Sequence, residues 1–226
     1  MPFDNSVWDR YIGRCAVVPR KGFSRFLRML DVHRPGARVL IPASYSGEYY
    51  KAVRRLQKAT VALDISEVQL KRYGGERVLA DMRQMPFRDN AFTHVITFEP
   101  TPLLVYTNGI GAALEALHEM IRVTRRGGVV TIFHRPEMDG VSALAAFLRE
   151  VGVPVYSFDV SNVMSDRAVA TLLFVDENVK RRAMRTIQKL LQWEKAGEWE
   201  KIARHRGVRA LLRSLKSLDL FRRLNG

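Results

Sequence analysis

Two spacings of apolar residues alternate along this chain. Short apolar runs of strand length fall at Arg38–Ile41, Val61–Ile65, Arg77–Ala80, His94–Phe98, Val129–Phe133, Val153–Val160 and Ala168–Val175. Helical spacing fills much of the sequence between them, at Glu48–Gln57, Gly111–Val123 and Val141–Val151; in the second of these Leu114, Leu117, Met120 and Ile121 share one face. Strands alternating with helices predict an α/β fold, a mostly parallel sheet with helices on both sides. The short Ser161–Arg167 link suits a hairpin-like return between the last two strands. Ahead of the sheet, Phe23, Phe26, Leu27 and Leu30 form a helical stripe, Trp8, Tyr11 and Ile12 suit a shorter helix before it, and Pro35-Gly36 makes a closing turn. Behind the sheet, Val179, Ala183, Met184, Ile187, Leu190 and Leu191 form one stripe, and Val208, Leu211, Leu212, Leu215 and Leu218 another. Stripes this regular belong to amphipathic helices rather than to a disordered tail. The chain thus reads as a helical segment (1–37), an α/β domain (38–177) and a helical extension (178–226).

Composition narrows the setting. The 226 residues suffice for one well-buried domain with an extension, and 47% are apolar. No apolar run approaches the length of a membrane span, and the start MPFDNSVWDR lacks the features of a signal peptide. Cys15 is the single cysteine, which rules out an internal disulfide and argues against a cysteine-based zinc site. His33, His94, His118 and His205 show no metal-ligand spacing, so no metal site is expected, and a cytoplasmic location is the default. The net charge is +14, unevenly spread. Residues 1–37 hold seven Lys/Arg against three Asp/Glu, residues 38–177 sixteen against sixteen, and residues 178–226 fourteen against four. A proteome-wide basic bias would have reached the middle as well. Basic flanks around a neutral centre favour a surface for a polyanion such as nucleic acid. Ordinary solvated helix faces, or attachment to an anionic membrane, are the other readings of the same helices.

The stretch Val78–Glu99 carries the most specific chemistry. Asp81-Met82-Arg83-Gln84-Met85-Pro86-Phe87-Arg88-Asp89-Asn90-Ala91-Phe92-Thr93-His94-Val95 resembles the D-x-x-x-L-P-F-x-D-x-x-F-D-x-V run of class I S-adenosylmethionine-dependent methyltransferases, with Thr93 at the family's second-last aspartate. Arg122-Val123-Thr124-Arg125-Arg126-Gly127-Gly128-Val129-Val130 resembles the same family's R-V-L-K-P-G-G run, with Arg126 in place of proline. The glycine-rich D-x-G-x-G-x-G motif after the first strand is degenerate: Ile41 stands at the acidic position and Ala43, Tyr45 and Gly47 at the glycines. Tyr45 must either cover the cofactor or fill its place.

The resemblance implies a doubly wound, seven-stranded sheet, S-adenosylmethionine as cofactor and methyl transfer as the reaction. By carry-over, Ala43, Tyr45 and Gly47 line the methionine end, Asp64 accepts from the ribose hydroxyls, and Asp81 and the Met82 backbone meet the adenine. Helix capping by Asp64 or Ser66, and a plain turn at Asp81, are the structural alternatives. Glu99, at the end of the fourth strand, is the candidate catalytic residue on the substrate side, with capping or ion pairing as its alternative. His134, just past the fifth strand, reads as a strand-end polar residue more readily than as a base. The motifs of nucleic-acid amino-methylating and cytosine-carbon methylating enzymes are missing. Nucleic acid, RNA first, is the favoured acceptor; a small-molecule or lipid-like acceptor is one alternative, and an inactive methyltransferase fold that binds nucleic acid or protein is the other. Oligomeric state is not legible.

Overall fold

The computed structural model of the chain describes residues 22–43, 47–71, 73–98, 105–134, 139–162 and 168–213. Seven strands form one sheet: β1 (Val39–Pro42), β2 (Thr60–Asp64), β3 (Glu76–Leu79), β4 (Phe92–Phe98), β5 (Thr124–His134), β6 (Tyr156–Asp159) and β7 (Val169–Val175). Their order is β3-β2-β1-β4-β5-β7-β6. β1 to β5 are mutually parallel, while β7 runs antiparallel to both of its neighbours. β1, β2 and β4 lie at the centre and are buried along their whole length, which is why VLIP, TVALD and FTHVITF read as continuous runs and not as alternations.

Helices cover both faces. α1 (Gly22–Met29) and α2 (Glu48–Leu56) pack on one face, with Phe23, Leu27, Tyr49, Tyr50 and Val53 buried against Ile41, Ile96 and Phe133. The short α3 (Glu67–Leu70) follows β2, and Ser66 caps it by accepting from the Gln69 N–H at 3.3 Å. The other face carries α4 (Val105–Val123), α5 (Asp139–Glu150) and α6 (Glu177–Lys195). α7 (Trp199–Arg204) and a helical segment over 206–213 complete the described chain. Val179, Ala183, Ile187, Leu190, Ile202, Val208 and Leu211 of this C-terminal part join the same buried cluster as the sheet residues Leu40, Val95 and Val130. At Gly207 an added Cβ would lie 2.8 Å from the Phe147 ring, so the backbone itself closes on α5.

Several elements differ from the sequence reading. β6 is shorter than Val153–Val160: Pro154 has no N–H to give to a ladder, and Val153 and Val155 turn into the core instead. β5 begins at Thr124 rather than Val129, with its register jumping from Phe92↔Thr124 to His94↔Val129. The intervening residues carry the expected glycine turn; Gly127 has φ +70°, and a Cβ on Gly128 would come 2.6 Å from the Thr93 carbonyl. α4 is longer than Gly111–Val123 but breaks at Gly109, where φ is 81° and ψ 166°. The short helix expected around Trp8, Tyr11 and Ile12 lies outside the described residues, as do Leu215 and Leu218.

Thr93 explains its own departure from the family pattern. Its hydroxyl accepts from the Arg38 N–H at 3.1 Å and lies 2.7 Å from His94 Nδ1. The opposite nitrogen, Nε2, lies 2.8 Å from the Leu30 carbonyl, an acceptor only, so Nε2 carries the proton, while the Thr93 hydroxyl donates to the Arg38 carbonyl at 2.8 Å. A neutral hydroxyl and a neutral imidazole thereby tie the start of β1 and the end of α1 to β4. Burial pushes the His94 pKa down, and the Leu30 hydrogen bond only partly opposes this.

Candidate active site

In an open parallel sheet the strands' C-terminal ends face the ligand crevice. Here that edge holds Ala43 after β1, Gly47 before α2, Asp64 at the end of β2, and Asp81 with Met82 after β3. These five sequence-predicted residues therefore share one edge of the sheet. Tyr45 and Glu99 lie outside the described residues.

The two ends of the degenerate glycine loop keep the backbone that glycines would supply. Ala43 adopts φ 50°, a left-handed conformation unfavourable for a residue with a Cβ, and its N–H donates to the Leu63 carbonyl at 2.8 Å. Gly47 adopts φ 69° and ψ −25° as the N-cap of α2, with no side chain to close the helix start. The first turn of α2 thus opens toward the loop with N–H groups that no cap side chain satisfies, the arrangement that favours an anionic group.

Asp64 is buried, and its Oδ1 accepts the Ser66 N–H at 2.9 Å. Capping of α3 falls to Ser66, not to Asp64. Ile65, one residue on, leaves an apolar side chain exposed at this edge, as does Leu79, the β3 partner of Asp64. Asp81 is held by its neighbour: the Arg83 N–H donates to Oδ1 at 2.8 Å, and Nε and Nη2 fork onto Oδ2 at 2.9 and 2.6 Å. The fork occupies Oδ2, so the remaining acceptor capacity of the carboxylate is on Oδ1. Met82 is buried in the core. Carboxylates at the ends of β2 and β3, a left-handed turn before a helix and an exposed apolar residue between them suit a ligand with ribose hydroxyls, an aromatic base and a charged end. The donor set therefore fits S-adenosylmethionine.

Two features of this region were not anticipated from the sequence. One is an aromatic stack at the start of α2. Tyr49 of α2 stacks on Phe98 (centroids 4.1 Å apart, planes 12°), Phe98 stacks on Phe133 (5.0 Å, 6°), and Phe23 of α1 meets the Tyr49 edge at 5.4 Å. Its signal is parity: Phe98 is the last residue of β4 and Phe133 the second-last of β5, on the face that α1 and α2 cover, and they are paired across the two strands. The other is a clasp on the loop that follows Asp81 and Met82. Arg122 at the end of α4 donates to the carbonyls of Met85 (3.0 Å) and Phe87 (2.7 Å), to Asp89 (2.8 Å) and to both oxygens of Glu119 (2.6 and 2.8 Å). Glu119 in turn accepts the Met85 N–H at 2.7 Å. Burial alone would raise the Glu119 carboxyl, but hydrogen bonds from Arg122, His118 and the Met85 N–H outweigh it and hold it at about 2. Lys180 of α6 closes the arrangement, donating to Asn90, to the Arg122 carbonyl and to the Thr124 carbonyl at 2.7 Å each.

His134 is buried at the end of β5, with Nε2 3.0 Å from the Thr171 hydroxyl, the position of a strand-end polar residue. No cluster of His, Cys, Asp and Glu among the described residues has the makings of a metal site. Among those residues no helix is long and apolar enough to cross a membrane.

Residues 42–132 match a family described as a methyltransferase domain. No curated protein sequence matches the chain. Among solved structures, an S-adenosylmethionine-dependent methyltransferase from Aquifex aeolicus superposes with a TM-score of 0.50 at 14% identity, over 76% of this chain and 99% of that one. A candidate methyltransferase from Bacillus halodurans is 23% identical (TM-score 0.43) over 57% of this chain, which spans 58% of that one. The T. thermophilus 16S rRNA N2 G1207 methyltransferase, solved with S-adenosylmethionine and guanosine, is 15% identical (TM-score 0.45) over 66% of this chain and 39% of that one. By its match over residues 42–132 and its seven-stranded sheet, the chain contains a methyltransferase domain and has the class I methyltransferase fold.

Proposed function

We propose that the protein transfers a methyl group from S-adenosylmethionine to a nucleic acid, RNA before DNA. The observation that carries the choice of acceptor is the segregation of charge: the 178–226 segment holds fourteen Lys/Arg against four Asp/Glu, beside an α/β domain that is balanced. A polyanionic acceptor gains from such a surface, whereas a small neutral acceptor does not.

Bound S-adenosylmethionine supplies an electrophilic methyl on a sulfonium, and the protein's part is to hold an acceptor atom in line with it. In this reading Asp64 binds the ribose hydroxyls and Asp81 the adenine amino group through Oδ1, with Arg83 fixing the carboxylate plane. The Met82 backbone meets the ring edge. Ala43, Tyr45 and Gly47 border the methionine end, and Glu99 orients the acceptor. The aromatic stack ties the start of α2 to the ends of β4 and β5.

The test has two parts. Calorimetric titration with S-adenosylmethionine is expected to show binding that Asp64→Asn weakens about 10- to 100-fold, the loss of a charged hydrogen-bond acceptor. Incubation with methyl-labelled S-adenosylmethionine and bulk RNA is expected to label the RNA. Cofactor binding without label on RNA, but with label on small-molecule extracts, would overturn the acceptor assignment. Absence of cofactor binding by folded protein would overturn the enzyme.

A further inference from the structure

The first turns of α6 hold a concentrated group of cations that the cofactor edge does not use. Asn178, Arg181, Arg182, Arg185 and Thr186 line a pocket of about 220 Å³. Arg182 is fixed in it by donating to the Gly152 carbonyl at 2.8 Å, and a Cβ on Gly152 would collide with its guanidinium. Arg181 shares a single acid, Glu177 (3.5 Å), with Arg126. Among the described residues Arg185 has no acidic partner within ion-pair distance. Three guanidinium groups around one small pocket repel each other unless an anion sits among them. Two amide or hydroxyl side chains complete a set of donors that matches the oxygens of a phosphate.

We infer that this pocket binds a backbone phosphate of the nucleic-acid substrate and docks a duplex region of RNA; the inference rests on the nucleic-acid acceptor proposed above. A membrane surface is disfavoured by the same helix. Its apolar residues Val179, Ala183, Ile187 and Leu190 are all buried against the domain, so the basic face has no apolar partner to insert between lipids. The pocket's place in the fold sets the size of the substrate. α6 starts directly after Val175, which pairs with Gly128 at the N-terminal end of β5, so its first turns lie toward the edge opposite the cofactor residues. Seven residues of β4 at about 3.3 Å each make that sheet roughly 23 Å tall. An acceptor that touches both places must span on the order of 20 Å, about six base pairs of rise. The substrate is therefore a folded polynucleotide and not a free nucleoside or nucleotide.

Fluorescence anisotropy with a labelled RNA hairpin of about 20 base pairs, measured from about 50 to 200 mM salt, tests this. The full-length variant Arg181→Gln/Arg185→Gln leaves Arg182 and its packing intact. Lys201→Gln/Arg204→Gln removes the same charge from exposed, ion-paired positions on α7. Thermal melts confirm that both are folded. The pocket variant is expected to bind about tenfold or more weaker at low salt and to lose about 0.9 from the log–log salt slope, the one phosphate contact of the pocket. The α7 variant is expected to stay within about twofold of wild type. Equal losses in the two variants, or none in the pocket variant, would overturn the docking site while leaving the acceptor assignment standing if bulk RNA is still methylated. Wild type that binds phosphatidylserine vesicles and not the hairpin would overturn both.

Discussion

Ala43 sits at φ 50° where glycine is at home, so the degenerate motif keeps a glycine-like backbone at its first glycine position. The left-handed region costs a residue with a Cβ roughly 1–2 kcal/mol, while glycine costs about 0.4–1 kcal/mol through the freedom of the unfolded chain. Ala43→Gly is therefore expected to be neutral or to stabilise by up to about 1 kcal/mol in denaturant melts. A clear loss of stability would mean that the Ala43 methyl is needed for packing. His94 makes the second case at this scale. Its pKa is lowered from 6.5 by burial, so the folded protein binds fewer protons than the unfolded chain just below pH 6.5. The associated stability is whole above 6.5 and is lost as pH falls toward the lowered folded value. Thermal melts should drop across that window, and His94→Gln, which keeps a donor for the Leu30 carbonyl but cannot titrate, should flatten part of the drop. The remainder belongs partly to His205, which burial also pushes down.

Arg122 acts on a whole loop. It was legible in sequence only as the first letter of a familiar run, because its partners lie more than thirty residues earlier in the chain, at Met85, Phe87 and Asp89. Only Glu119, three residues before it on the same helix, could have been foreseen as a partner from spacing. Both members of the Arg122–Glu119 pair are largely buried, with side chains 18% and 11% exposed. Removing the arginine leaves a buried carboxylate facing only the Met85 N–H and the His118 ring. Arg122→Met is expected to cost about 3–5 kcal/mol and to speed hydrogen exchange over residues 85–90 more than in α6. Uniform exchange across the protein would deny the clasp a local role. The same pair sets an acid limit: with Glu119 at about 2 against an ordinary 4.5, its contribution is complete above pH 4.5 and fades between 4.5 and 2. The β5 start and the short β6 were misread at this scale for plain reasons. A glycine turn lies inside a strand whose register jumps, and Pro154 ends an apolar run that continues as core rather than as ladder.

At the scale of the molecule the sequence was most legible where burial dictates it. The central strands are apolar because both faces are covered, and the seven-stranded, mostly parallel sheet follows from the strand–helix alternation together with the family resemblance. The edge holding Ala43, Gly47, Asp64, Asp81 and Met82 was readable because strand ends are local in sequence. The aromatic stack and the Arg122 clasp were not, since they join residues that only the folded sheet brings together. The C-terminal helices were readable as amphipathic, but nothing in their spacing says what their apolar stripes cover. In the fold they cover the same core as the sheet. Seven residues (Val179, Ala183, Ile187, Leu190, Ile202, Val208 and Leu211) are buried there, each at 8% exposure or less. Burial of one such side chain is worth about 1.5–3 kcal/mol for the larger residues and less for alanine, so together they contribute on the order of 10 kcal/mol. That is comparable with the entire stability of an ordinary domain, about 5–15 kcal/mol. A chain ending at Asp176 is therefore expected not to fold as a free α/β domain, and circular dichroism of the truncated protein should show no cooperative melt. A cooperative melt near that of the full chain would mean that the helices are an accessory, and that the basic surface could be removed without touching the strand ends that hold Asp64 and Asp81. Failure to melt cooperatively ties the basic surface and the methyl-transfer domain into one folding unit, so their relation has to be probed by surface substitutions such as Arg181→Gln/Arg185→Gln and never by deletion.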